Sequence, residues 1–186
     1  KYSWEVGTNL KFFNNRLGID ATYYNSKTKD QIMAIQVPTS SGFGHQWINA
    51  GQISNKGVEL TIYGDILKNA NGLNWRMTLN WAKNNNKVDE LYGDLQSLQI
   101  GRSWSGLSVQ ARPGEEYGVI SGKGYVRDDA GNFVVDAGGM PEATQSNIVL
   151  GNVTPDWTGG VANDFSYKGL NLHVMIDGRK GGDIFS

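Results

Sequence analysis

Apolar and polar side chains alternate without interruption over residues 73–81, LNWRMTLNW. Successive side chains of a β-strand point to opposite faces, so this segment predicts a strand with one apolar side and one polar side. The same period of two recurs over residues 2–12, 17–26, 57–64 and 170–177. The pattern predicts an all-β protein. It leaves open whether the apolar side meets the core of a soluble sandwich or the lipid of a membrane.

Short turns alternate with long connections between these predicted strands. The short ones lie at residues 14–16, 68–72 and 168–169, and the long ones span approximately 27–56 and 87–156. Structureless connections of that length are uncommon in compact soluble domains, whereas outer-membrane barrels have short turns at one end and long loops at the other. The alternation therefore favours antiparallel up-and-down strands of a transmembrane β-barrel.

Strand length and composition agree with this interpretation. Nine to eleven residues, tilted by about 45°, rise roughly 21–26 Å, which is close to the apolar band of a spanning barrel. No apolar run approaches the roughly 18 residues that a spanning helix needs. The chain has 17 basic and 18 acidic residues and no cysteine. This composition argues against nucleic acid as a partner and excludes disulfides and thiolate sites.

Three blocks of sequence resemble the late barrel of the SusC/RagA class of TonB-dependent outer-membrane transporters. The first is KTKDQIMAIQVPTSSGF followed by NAGQISNKGVEL, and the second is EEYGVISGKGYVRDDAGNFVVDAGG. The third is GNVTPDWTGGVANDFSYKGLNLHVMIDGRKGGDI. They stand in the order in which that family has them, and together they touch most of the chain.

The resemblance implies a large plugged barrel of the 22-stranded type, in which residues 1–186 form part of the C-terminal half. Such a protein resides in the outer membrane of a Bacteroidetes-type cell and imports a glycan or an oligopeptide. It works with a SusD-like surface lipoprotein and is driven through TonB. We expect the plug, the N-terminal segments and the final strands to lie outside these residues, because both ends of the chain look like cuts in a longer protein.

In such a wall, one face of each strand lines a wet lumen and the other faces lipid. The polar positions of the alternation are therefore the predicted lumen-facing residues: Asn74, Arg76, Thr78, Asn80, Glu59, Thr61, Asn171, His173 and Asp177. Their immediate neighbours are the predicted lipid-facing positions.

Tryptophans carry two further hypotheses. Trp75 and Trp81 stand at opposite ends of one predicted strand, which suits the interfacial girdles of a barrel, with a pair of core side chains as the alternative. Trp47 and Trp104 lie in the predicted long loops, where they could contact sugar substrate or simply pack against the loops themselves.

No residue pattern predicts catalysis, a cofactor or a metal. His45 and His173 have no second ligand at a useful spacing, and the pair Glu115–Glu116 is typical of solvated loop charge. The run from Asp128 to Asp136 departs from the calcium-loop spacing and predicts a hairpin that turns at residues 129–131. We therefore expect a transporter and not an enzyme. A soluble β-sandwich module that binds carbohydrate is the rival hypothesis.

Overall fold

The computed structural model describes residues 1–36, 42, 45–101 and 106–184. They form ten β-strands: β1 (Tyr2–Phe12), β2 (Leu17–Gln36), β3 (His45–Leu67), β4 (Asn74–Leu91), β5 (Leu98–Gln99), β6 (Ser108–Ala111), β7 (Val119–Gly122), β8 (Ile148–Asn152), β9 (Pro155–Tyr167) and β10 (Leu170–Gly181). In the described part of the chain, no helix is long and apolar enough to cross a membrane.

The chain divides into two units. Unit 1 comprises Lys1–Thr28, Ser54–Asn86 and Pro155–Gly181, and unit 2 comprises Lys29–Ile53, Lys87–Thr154 and Gly182–Ser186. Strands β2, β3 and β4 contribute residues to both units.

Unit 1 is built on a six-stranded sheet in the order β1-β2-β3-β4-β9-β10. The pairs with a complete register are antiparallel: β1 with β2, β4 with β9, and β9 with β10. The all-β, antiparallel fold predicted from the sequence is confirmed, and β1 and β10 stand at the two open edges of the sheet.

The period-two pattern separates the side chains of unit 1 into two faces. Paired residues share a face, so the registers extend each strand's alternation across the sheet. We call the side that carries Arg76, Asp164 and His173 the polar face, and the side that carries Trp75, Phe165 and Leu172 the apolar face. All the buried apolar side chains among the described residues belong to unit 2, so the apolar side chains of unit 1 are not packed into a core.

The short turns fall where the sequence predicts them. Phe13, Asn14 and Asn15 adopt positive φ angles of 53°, 54° and 66° between β1 and β2. Lys168 and Gly169 adopt φ angles of 46° and 86° between β9 and β10. Two consecutive left-handed residues are typical of the type I′ hairpin turn, whose twist matches that of the flanking strands.

Unit 2 contains the hydrophobic core, which groups Met33, Ile53, Val88, Leu91, Leu98 and Ala111. Its four-stranded sheet has the order β5-β6-β7-β8. Residues 124–144 form a meander. In its turn the backbone N–H of Gly131 donates to the carbonyl of Asp128, and Arg127 and Phe133 form an antiparallel β-bridge. The hairpin predicted to turn at residues 129–131 is confirmed.

Three strands are longer than the alternation predicts. β2 continues to Gln36, β3 begins at His45 and β4 ends at Leu91, so strand occupies much of the ranges expected to be loops. The apolar spacing of residues 88–98 also gives a weak helical signal, and that prediction is wrong, because Val88–Leu91 is strand. Pairing with other strands outweighs the turn propensity of the Asn84–Asn86 run, since the Asn84 side chain bonds to Asn55 of β3 and to Tyr24 of β2.

Candidate functional site

The nine predicted lumen-facing residues lie together on the polar face. In β4, β9 and β10, Arg76 pairs with Asp164 and Asp164 with His173, while Asn80 pairs with Gly160 and Gly160 with Asp177. The hydroxyl of Thr61 donates to the Asn80 side-chain oxygen at 2.9 Å and so joins β3 to the same surface. The structure thus brings residues from four strands onto one wall.

A charged row crosses the polar face near the short turns. The Arg76 guanidinium lies 3.7 Å from the Asp65 carboxylate and 5.2 Å from the centre of the Tyr63 ring. On the next strands, His173 Nδ1 and Asp164 Oδ1 are 2.6 Å apart. The Arg76 side chain is 52% exposed and the Asp65 side chain 22%, so solvent screens their ion pair, which contributes only about 0.2–1 kcal/mol. The row fixes side-chain positions on a wet surface more than it stabilises the fold.

An open groove of about 770 Å³ lies further along the strands from the short turns. Carboxylates of Glu59 and Asp177, the amide of Asn80 and the guanidinium of Arg179 line it. Gly160 forms part of its floor, and a Cβ there would collide with the Asp177 carboxylate. The groove therefore offers donors and acceptors of both charges to a hydrophilic solute.

The rest of the polar face is bonded across strands. The Tyr24 hydroxyl donates to Asn84 Oδ1 at 3.0 Å, and Asn9 Nδ2 donates to Asp20 Oδ2 at 2.8 Å. Asn74 differs from the other predicted lumen residues, because its side chain accepts from the backbone N–H of Asn69 at 2.7 Å. It fixes the turn between β3 and β4.

The apolar face contains a tryptophan–amide pair. The indole Nε1–H of Trp75 donates to Asn163 Oδ1 at 3.0 Å, and its ring stacks on Phe165 with centroids 5.6 Å apart. Trp81 lies within β4 and not at its end, so the idea of two tryptophans at opposite strand ends is wrong. Neither side chain belongs to the hydrophobic core, which excludes the core alternative; a girdle role stays a prediction.

The two tryptophans suggested for substrate contact are placed differently from each other. Trp47 lies in β3, not in a loop, and is 72% exposed. Trp104 lies outside the described residues. Substrate contact by either remains a prediction.

Several residues of the polar face were missed at the sequence level. Asp164 and Tyr63 contact the predicted residues His173 and Arg76, and Tyr24 bonds to Asn84 further along the same face. The period-two alternation along each strand was sufficient to identify Asp164, because it alternates with Phe165 and Asn163 just as His173 alternates with its neighbours. Within the described residues, no group of three His, Asp or Glu side chains is placed to hold a metal ion.

Known proteins resemble this chain in sequence. A family model described as "TonB dependent receptor-like, beta-barrel" matches residues 2–173. TonB-dependent receptor P3 of Formosa agariphila is 29% identical over 206 residues, which is 98% of this chain and 20% of that protein. TonB-dependent receptor SusC of Bacteroides thetaiotaomicron is 29% identical over 94 residues, covering 49% of this chain and 9% of that protein.

Solved structures resemble the chain as well. The RagAB peptide importer in its closed-closed state superposes with a TM-score of 0.77 at 25% identity, over 97% of this chain and 21% of that one. The RagAB peptide transporter superposes with a TM-score of 0.74 at 26% identity, over 94% of this chain and 20% of that one. The chain spans about a fifth of the length of the curated relatives that it matches along nearly its whole sequence. The rival sandwich fold is wrong, because the matched family model is that of a β-barrel and the apolar side chains of unit 1 do not pack into a core.

Proposed function

Because the chain belongs to the TonB-dependent receptor β-barrel family, we propose that it forms part of the wall of an outer-membrane channel that imports a nutrient. The observation that carries this proposal is the two-faced sheet of unit 1. Its polar side chains form ion pairs and hydrogen bonds between β3 and β4 and between β9 and β10, and its apolar side chains stay exposed on the other face, with Tyr2 at 73% and Ile176 at 68%.

In this proposal the polar face lines the lumen. A charged side chain facing lipid at the bilayer midplane destabilises a barrel by about 2–4 kcal/mol, whereas lumen positions tolerate charge. Glu59, Asp65, Asp164 and Asp177 all lie on the polar face, so this orientation leaves their carboxylates in water. The reverse orientation would place all four against lipid.

The proposed cargo is a glycan or an oligopeptide. The 770 Å³ groove presents carboxylates, an amide and a guanidinium, which bind the hydroxyls of a sugar as well as the backbone of a peptide. Likeness to the RagAB peptide importer supports the peptide class, and the sequence resemblance to the SusC/RagA class supports the inclusion of glycans. The wall residues act by binding and orientation and perform no covalent chemistry.

The proposed partners follow from the same relatives. A SusD-like surface lipoprotein captures the cargo at the side of the long connections, and TonB supplies the force that opens the channel. Both act on the full-length protein, and the residues described here contribute the wall.

Accessibility of adjacent residues in the full-length protein tests the proposal. Single cysteines are placed at Asp177, on the polar face, and at Ile176, its neighbour on the apolar face. A membrane-impermeant, bulky thiol reagent should label position 177 and reduce uptake of labelled cargo, because it narrows the lumen. Position 176 should instead react only with a lipid-soluble reagent.

Equal aqueous labelling at both positions would overturn the proposed faces.

Uptake measured with a labelled oligosaccharide and with a labelled oligopeptide then decides the cargo class. Co-purification of a lipoprotein from the native membrane tests the partner, and uptake that persists after the membrane is de-energised would contradict the TonB step.

A further inference from the structure

The turn between β3 and β4 contains the one asparagine of the chain that precedes a glycine. Asn71 is followed by Gly72, whereas every other asparagine precedes a residue that has a side chain. An asparagine loses its side-chain amide when the next backbone nitrogen attacks it, and a glycine, which has no Cβ, leaves that nitrogen accessible. The sequence therefore singles out Asn71, and its contacts in the turn decide whether it is free to react.

The asparagines on either side of Asn71 have their side chains engaged. Asn74 Oδ1 accepts from the backbone N–H of Asn69 at 2.7 Å, and Asn74 Nδ2 donates to the Asn69 carbonyl at 3.0 Å. Asn69 Oδ1 accepts from the backbone N–H of Asn71 at 3.1 Å. The Asn71 side chain itself is exposed and forms no hydrogen bond with any described residue. It is therefore free to rotate toward the next peptide bond, whereas its two neighbours are held.

The backbone nitrogen that would attack Asn71 is only weakly bonded. The N–H of Gly72 donates to the Asn69 carbonyl at 3.4 Å, which is longer than the range of about 2.7–3.2 Å for an ordinary N–H···O bond. The same carbonyl accepts the shorter bond from Asn74. Removal of the Gly72 proton, which makes the nitrogen nucleophilic, therefore disrupts little hydrogen bonding in the turn.

Packing requires the glycine that makes Asn71 reactive. A Cβ at position 72 would lie 2.5 Å from Asn69 Nδ2 and 2.9 Å from Asn69 Cγ. The Asn69 side chain would have to move away, and it would then lose its hydrogen bond from the Asn71 backbone. The turn is thus built around a residue that leaves the backbone nitrogen unshielded.

We propose that Asn71 is a site of spontaneous modification, at which water converts the side-chain amide to a carboxylate. The deprotonated Gly72 nitrogen forms a bond to Asn71 Cγ while the bond from Cγ to the amide nitrogen breaks, so that ammonia leaves and a five-membered imide remains. Water then opens this ring at Cγ, which gives aspartate, or at the backbone carbonyl carbon, which gives isoaspartate. One water is consumed and one ammonia is released, so the reaction needs neither an oxidant nor a reductant.

The isoaspartate product changes the turn itself. Its main chain runs through Cβ and Cγ of residue 71 and is one carbon longer between Asn69 and Asn74, whose mutual hydrogen bonds span that segment. The modification therefore loosens the turn between β3 and β4. It does so whichever face of the sheet meets lipid, so the site stands independently of the proposed function.

Ageing of the full-length protein in detergent at mildly alkaline pH tests the site. Peptide mass spectrometry measures, at each asparagine, the fraction that has gained the mass of an amide-to-acid exchange. Asn71 should convert several-fold faster than Asn69, which lies in the same turn but precedes Ala70 and has its side chain bonded. Equal rates at the two asparagines would overturn the proposal. Conversion of Asn71 only after unfolding in urea would overturn it as well, because the folded turn would then protect the residue.

A matched pair of variants separates the new charge from the longer backbone. Asn71→Gln, whose longer side chain would have to form a six-membered ring, should resist conversion, and Asn71→Asp adds the charge to an unaltered backbone. Hydrogen exchange at the backbone N–H of Asn69 should be several-fold faster in the aged, isoaspartate-containing protein and unchanged in both fresh variants. Faster exchange in fresh Asn71→Asp, or unchanged exchange in the aged protein, would overturn the loosening of the turn by isoaspartate.

Discussion

Asn163 is a carboxamide on the apolar face whose oxygen accepts a hydrogen bond from the Trp75 indole. Replacing Trp75 by Phe removes the donor and leaves the amide unpaired in an apolar surrounding, so we expect the free energy of unfolding of the barrel to fall by about 0.5–1.5 kcal/mol. Urea unfolding of the full-length protein in lipid vesicles measures it.

The double variant Trp75→Phe/Asn163→Leu is the matched control for that experiment. Because both polar partners are then gone, it should recover most of the stability lost in the single variant. If the double variant lost as much stability as the single variants Trp75→Phe and Asn163→Leu combined, the hydrogen bond would not be what stabilises the pair.

Asp128 shapes the exposed hairpin of residues 124–144. Its carboxylate accepts from the backbone N–H groups of Asn132 at 2.8 Å and Ala130 at 3.0 Å, and from the Asn132 side chain. These bonds, first the backbone N–H of Asn132 and then its side chain, lower the pKa of Asp128. A lowered pKa in the folded state stabilises the turn above the ordinary carboxyl pKa of about 3.9.

The turn should therefore lose protection as the pH falls below that ordinary value. Hydrogen exchange at the amides of Ala130 and Asn132, corrected for intrinsic rates, measures the change between neutral pH and pH values below the carboxyl range. Asp128→Asn should be less protected at neutral pH and should respond less to acid. Asp129→Asn, which alters the adjacent carboxylate, should behave like the unaltered protein, and a loss of protection there would contradict the assignment.

At the level of strands, close contacts across the sheet depend on glycine at selected positions. A Cβ at Gly57 would lie 2.5 Å from the carbonyl oxygen of Lys83 and would also meet the Tyr24 side chain. Gly57→Ala should separate β3 from its neighbours and destabilise the barrel by about 1–3 kcal/mol. Gly178→Ala, where a Cβ has open space, should change stability by less than about 0.5 kcal/mol. Thermal unfolding of both variants in detergent compares them, and similar losses would refute the packing argument.

How much of the sheet could be predicted depends on the physics behind each feature. The two faces of β4 and β10 follow from the side-chain period, which is local, so the sequence alone places Arg76 and His173 on the same face; that this face lines a lumen stays a prediction. Partners such as Asp164 and Tyr63 depend on register, which only pairing between distant strands sets. The long β4 was missed because Asn84 has turn chemistry on its own and strand geometry only once Tyr24 and Asn55 bond to it.

For the whole molecule, the absence of an apolar core in unit 1 determines how residues 1–186 should behave alone. The apolar face leaves large side chains exposed, including Leu172 at 59% and Ile176 at 68%, and β1 and β10 leave two unpaired edges. Exposed apolar patches and open edges both promote association. We therefore expect the isolated chain to aggregate in aqueous buffer and to become monodisperse only in detergent, as measured by size-exclusion chromatography with light scattering.

Opposite faces of one strand provide the control for this last prediction. Leu172→Ser/Ile176→Ser removes apolar surface from β10 and should raise the detergent-free soluble fraction, because the exposed patch shrinks. His173→Ser/Asp177→Ser changes two positions on the other face of the same strand and should leave that fraction unchanged or lower. A monodisperse, cooperatively melting monomer in the absence of detergent would contradict the membrane-facing role of the apolar face, since a stable sheet in water needs that face to be buried.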